Sequence, residues 1–208
     1  MGSSARQRRW LSRGWGSPSR GAPTEITEVL DATDRDEWRR WLELNHASKP
    51  DVWLVYYRKS SGKERIPYND AVEEALCFGW IDSQQKNLDS ERYVQRFSPR
   101  RPGASYSQAN KVRLGRLIEQ GKVIPEVLKQ IPPGILKEDL EVALDIIEAI
   151  DADSEASKNF RSLPDDYRRI RVAYIESQRK HGEEAFQQSL RNFVKMTAKG
   201  KRIGYIRD

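Results

Sequence analysis

The sequence predicts an α+β fold: an N-terminal domain with a small mixed or antiparallel sheet flanked by helices, followed by a small all-α C-terminal region. Three observations carry this. "VWLVYYRK" (Val52 to Lys59) is continuously apolar, β-branched and aromatic, which suits a central strand covered on both faces. Trp80 to Lys86 and Arg92 to Ser98 read as two strands joined by a turn over "NLDS". After "IPPGILKED" the apolar residues recur at helical spacing to the end of the chain.

The elements follow in order. "ITEVLDA" alternates weakly and reads as a first strand. Asp34 is placed to cap a helix carrying Trp38, Trp41 and Leu42, with Glu37 completing a capping box. Pro50 bars that helix from continuing. Asp70 and Glu73 suggest a second capping box, and Ala71, Val72, Ala75, Leu76 and Gly79 mark one face of the helix behind it, with Gly79 as its stop. Ser107 is placed to cap a helix running to Glu119, with Val112, Leu114, Leu117 and Ile118 as core candidates and Gly121 as its stop. "PEVLKQI" is a further short helix. Beyond the linker, Leu140, Ala143, Leu144, Ile147 and Ile150 form one stripe. Ser162, Pro164 and Asp165 open a helix bearing Tyr167, Ile170, Tyr174 and Ile175. Phe186, Leu190, Phe193 and Val194 form the last stripe. The expected organisation is a disordered tail over 1–24, an α+β domain over 25–131, a linker over 132–139 and a helical region over 140–208.

Composition narrows the class. Hydrophobic residues make up 37% and charged residues 33% of 208, polar for a globular protein, yet six Trp, eight Tyr and five Phe can seed a core. No apolar run approaches the roughly 20 residues of a membrane helix, so no membrane insertion is expected. The net charge is +6, but Arg6, Arg8, Arg9, Arg13 and Arg20 lie in the first 24 residues with no acid, so the rest is almost neutral. That tail lacks a secretory apolar core; an organelle transit peptide and an over-extended start are the alternatives to disorder. Further along, Glu91 to Arg116 is strongly basic and Glu138 to Ser157 is strongly acidic.

Cys77 is the single cysteine, which excludes an intramolecular disulfide and fits a cytoplasmic protein. Near a helix C-terminus, where the dipole disfavours a thiolate, it reads as core rather than nucleophile. His46 and His181 lie far apart without ligand spacing. There is no Gly-rich phosphate loop and no Ser-His-Asp set, so no cofactor is expected.

The candidate site is an anion-binding surface spanning "WIDSQ" and "RFSPRRPGASYS". Strand alternation puts Trp80, Asp82 and Gln84 on one face, where Asp82 can orient Arg96 from the neighbouring strand. Arg100 and Arg101, stiffened by Pro99 and Pro102, supply charge. Tyr106 offers a ring, and Ser107 with Asn110 marks a helix start, whose amides favour anions. The leading reading is non-enzymatic binding of an anionic small molecule or protein partner. A nucleic-acid module is the second reading, and an enzyme using Asp82 as acid or base the third.

"WLVYYRKSSGK", "IPYNDAVEEALCFGWIDSQQK", "ERYVQRFSPRR" and "SYSQANKVRLGRLIEQG" together resemble the YdeI/OmpD-associated family, the bacteriocin-protection proteins, over Glu28 to Ile131. "FRSLPDDYRRIRVAYIES" is similar to that family's helical C-terminal region. The resemblance implies protection against peptide antibiotics or an envelope association, and implies no catalytic residues.

Overall fold

The computed structural model describes residues 25–136 and 141–204. The expectations for residues 1–24, for Leu140 and for residues 137–139 of the linker lie outside the described residues.

Four strands form one sheet in the order β1-β2-β4-β3: β1 (Val29–Leu30), β2 (Val52–Tyr57), β3 (Trp80–Asn87) and β4 (Arg92–Pro99). β1 runs parallel to β2, while β2–β4 and β3–β4 are antiparallel, so the sheet is mixed. β2 is the central, doubly covered strand that its composition predicts. Val52, Leu54 and Tyr56 enter the main core with Trp38, Trp80 and Phe97. Trp53 and Val55 form a smaller cluster with Val94 on the opposite face.

The main core is closed by α1 (Arg35–Asn45), α2 (Tyr68–Cys77), α3 (Gln108–Glu119) and the single turn α4 (Pro125–Leu128). Asp34 caps α1 by accepting from the Glu37 amide at 2.8 Å, as expected. The Glu37 carboxylate closes the motif one residue early, accepting from the Thr33 amide at 2.9 Å. The box expected at Asp70 and Glu73 does not form. α2 begins at Tyr68 because Pro67 holds the extended cap conformation, and the Asp70 carboxylate is left to accept from Arg35 at 3.3 Å. Gly79 terminates α2 in the left-handed region at φ +72°, where a Cβ would sit 3.0 Å from Val127.

A second core is formed by α5 (Leu144–Asp151), α6 (Ser154–Ser162), α7 (Asp165–Ser177) and α8 (Glu183–Ala198). Phe186, Leu190 and Phe193 of α8 are buried as their spacing predicts. The α5 stripe is met in part: Ile150 is buried and Ala143 packs on the core as expected, but Ile146 is buried as well, and Leu144, the first residue of the helix, is 76% exposed. α6 went unrecognised in the sequence because Ala156 is its only buried residue; Asp153 caps it through the Glu155 and Ala156 amides. Ser162 therefore ends α6 rather than opening α7, whose cap is Pro164. No described helix is long and apolar enough to cross a membrane.

The two cores meet where α3 lies against α7. Arg116 and Asp166 form an ion pair at 3.0 Å, and Arg169 donates to Gln108 at 3.4 Å.

Candidate anion-binding cleft

α3 has two working faces. Asn110, Lys111, Leu114 and Leu117 are buried, while Ala109, Val112, Arg113 and Arg116 line an opening toward α7. α7 buries Tyr167, Arg171, Val172 and Ile175, and presents Ile170, Ala173 and Tyr174 to the same opening. The cavity between them measures about 910 Å³. Ser107 and Gln108, at the start of α3, also line it.

Five cations border this cleft: Arg35, Arg113, Arg116, Lys122 and Arg171. Two of the arginines are neutralised within the protein. Arg35 pairs with Glu73 at 3.0 Å, with Asp70, and with the buried Glu74. Arg116 is held by Asp166. Arg113 donates instead to two neutral amides, Asn110 Oδ1 at 3.0 Å and Asn69 Oδ1 at 2.9 Å, which aim the guanidinium without cancelling its charge.

Arg171 is the more unusual group. It is only 8% exposed, and no carboxylate faces it among the described residues. Its guanidinium lies 4.7 Å from the Tyr174 ring, and its Nε has no hydrogen-bond partner. Burial pushes its pKa down from the usual arginine value. A buried cation without a counter-charge is costly, because lost hydration is not replaced. Ile203 and Gly204 help to enclose it. Tyr167 accepts from the Ile203 amide at 2.7 Å and donates to the Ile203 carbonyl at 3.1 Å, bringing Gly204 against Arg171. Gly204 sits at φ +91°, a conformation that favours glycine, and a Cβ there would lie 2.8 Å from Arg171 Nη1, so any side chain would push the guanidinium aside.

The residues expected to form one surface are distributed over several places. Trp80 is buried and donates to the His46 carbonyl at 3.1 Å, a core role. Asp82 does not orient Arg96. It sits opposite Phe97 in the β3–β4 register, on the helix-covered face, and accepts from Tyr68 at 2.8 Å and Gln95 at 3.4 Å. Arg96, one residue away in β4, points to the other face and pairs with Asp51. Gln84 is exposed within the register shift between Asp82 and Gln85. Arg100 stacks on Tyr106 with 3.5 Å to the ring centroid and donates to the Ala104 carbonyl, while Arg101 is exposed. Ser107 and Asn110 do converge: Ser107 accepts from the Asn110 amide at 3.2 Å, and Asn110 in turn accepts from Arg113.

Arg113, Arg171 and Tyr174 were missed as site residues because α3 and α7 are brought together only by packing. One signal was present: Arg171 lies four residues after Tyr167, a cation inside an otherwise apolar stripe. Among the described residues, no group of three His, Cys, Asp or Glu side chains is placed to hold a metal ion.

A mixed four-stranded sheet unit packed on a four-helix unit, with a basic cleft between them, defines a two-part α+β protein. Residues 139–200 match the bacteriocin-protection, YdeI or OmpD-associated family, so this helical segment is similar to that family. Residues 30–130 match a separate family, described as a domain of unknown function. The sequence motifs placed the YdeI/OmpD-associated resemblance chiefly on this N-terminal part, whereas the family match falls on the C-terminal helices. No curated protein and no solved structure matches the chain.

Proposed function

We propose that this is a non-enzymatic binding protein with a bacteriocin-protection-like role, holding an anionic ligand or partner in the cleft between α3 and α7. The family description of the C-terminal segment supports the protective role. The observation that carries the anionic ligand is Arg171: a buried guanidinium, facing a cavity, with no carboxylate partner among the described residues. Arg113 supplies a second uncancelled fork, and guanidinium forks match carboxylate and phosphate oxygens. Arg101, exposed in the loop leading to Ser107, adds positive charge near the start of α3.

The test is thermal stabilisation by phosphate, nucleotides and acidic peptides at millimolar concentration. A ligand at 100 times its Kd stabilises by about 2.7 kcal/mol, a shift of several degrees for a protein of this size. Arg171→Gln should remove the shift while leaving the unliganded protein folded. A wild-type protein unresponsive to all three classes overturns the reading. Steeply salt-dependent binding of random-sequence RNA, indifferent to Arg171→Gln, would favour a nucleic-acid surface instead.

A further inference from the structure

The size and lining of the same cleft bear on what kind of anion it takes. Resting on the binding reading above, we infer that the ligand is a ring-bearing organic phosphomonoester rather than a simple oxyanion or a carboxylate.

Volume is the first argument. A tetrahedral oxyanion occupies little more than the space of a few waters, at roughly 30 Å³ each. The cavity of about 910 Å³ is in the range that accommodates a whole organic molecule, roughly 300–1,000 Å³. An ion held by Arg113 and Arg171 would leave most of it unfilled.

The lining is the second. The walls also carry polar groups, among them Glu73, Gln108 and Gln120, but Ala109 and Val112 from α3 and Ile170 and Tyr174 from α7 give them an apolar part. These are apolar surfaces set beside a cationic end, the arrangement that recognises an amphipathic molecule by both halves. The Tyr174 side chain is 47% exposed although one face is approached by Arg171, so ring surface remains open for stacking.

Charge is the third. Arg113 and Arg171, joined at the rim by Lys122, carry at least two positive charges that no carboxylate among the described residues offsets. A phosphomonoester at pH 7 carries about −1.5 to −2, which matches; a carboxylate or sulfate monoester carries −1 and leaves the pair half compensated.

Isothermal titration of the full chain with phenyl phosphate, adenosine monophosphate, inorganic phosphate, phenyl sulfate and phenol tests this. The two aromatic phosphomonoesters should bind at least tenfold more tightly than inorganic phosphate or phenyl sulfate, and phenol should not bind measurably. Their affinity should fall as pH drops from 7 to 5, through the second phosphate pKa near 6, while that of phenyl sulfate stays level. Tyr174→Ala should erase the advantage of the ring, and Arg113→Gln should weaken every phosphate; both variants are checked for an unchanged melting temperature. Inorganic phosphate binding as tightly as phenyl phosphate, with binding lost in Arg171→Gln, overturns the phosphomonoester assignment and leaves the anion cleft standing. Phenyl sulfate matching phenyl phosphate overturns the charge argument. No binding by any anion overturns the assignment and the cleft reading together.

Discussion

Arg96 Nε and Nη2 both donate to Asp51 Oδ2, at 2.9 and 2.5 Å, tying the middle of β4 to the residue that precedes β2. Thr27 donates to the other carboxylate oxygen at 2.5 Å. Asp51 is only 7% exposed, so removing Arg96 strands a mostly buried carboxylate. Arg96→Ala should lower unfolding free energy by about 2–4 kcal/mol in urea, slightly less than for a fully buried pair because Arg96 is partly solvated and Thr27 remains. Anion affinity should be unchanged, since Arg96 faces away from the helices. A loss of binding without a loss of stability would return Arg96 to the ligand site.

Glu74 is the corresponding tie between α1 and α2. It is 2% exposed and accepts from both Arg35 and, at 2.7 Å, Arg39. Bonding to Glu74 raises the pKa of both arginines in spite of the opposing effect of burial. Glu74→Gln keeps the shape and removes the charge, leaving two guanidinium groups competing for a neutral amide. The expected loss is about 3 kcal/mol, read as a shift in the urea midpoint. A change below 1 kcal/mol would show that solvent replaces the carboxylate.

Tyr56 offers the opposite case. Its ring stacks on Tyr93 at 5.2 Å, but its buried hydroxyl has no hydrogen-bond partner among the described residues, and burial drives its pKa well above the usual tyrosine value. Tyr56→Phe keeps the stacking and removes the stranded group. It should be neutral or stabilising by up to about 1 kcal/mol. A clear destabilisation in thermal melts would indicate that the hydroxyl is satisfied in solution.

Cys77 should be inert in the folded protein. Burial, with the nearby Glu74 carboxylate, pushes its thiol up to about 11. At pH 8 only about one thiol in a thousand would be ionised. Because folding raises this pKa, the associated stability is present below the unfolded value near 8.5 and is lost as pH rises toward 11. Iodoacetamide should label Cys77 slowly at pH 8 in buffer and quickly in urea. Equal rates in both would place the thiol at the surface.

The two cores share no residue, and this suggests that the sheet unit folds by itself. Ile131 and Leu136 also pack on the first core, so the fragment that tests this runs to Leu136. Residues 25–136 expressed alone should melt cooperatively. Cooperative melting of the full chain only, with a molten 25–136 fragment, would show that α3 needs α7 to hold its place.

Much of the architecture was legible in the sequence because it depends on local pattern. The apolar run at Val52 announces a central strand whatever lies around it, since only burial on both faces suits such a run. Asp34 and Ser107 cap their helices through amides three residues away, and Gly79 ends α2 by its own backbone freedom. Where the pattern was weak, local reading failed: polar α6 was invisible, and in α5 Ile146 was overlooked while exposed Leu144 was counted as core.

The site was less legible, for a reason that Asp82 and Arg96 make plain. Both stand on neighbouring strands, and sequence spacing allows them to meet. Register puts Phe97 opposite Asp82, so Arg96 faces the other side of the sheet and finds Asp51. One residue of register reverses a side chain's direction, and register is set by the packing of the whole sheet. The same holds for Arg113 and Arg171: each was visible as a letter, but their shared cleft exists only because two separate cores press α3 against α7. The sequence by itself determined the strands, most helices and their stops, which follow from interactions within a few residues. Tertiary structure alone decided which charges are cancelled and which are left facing a cavity, because pairing across elements depends on distances that no local pattern encodes.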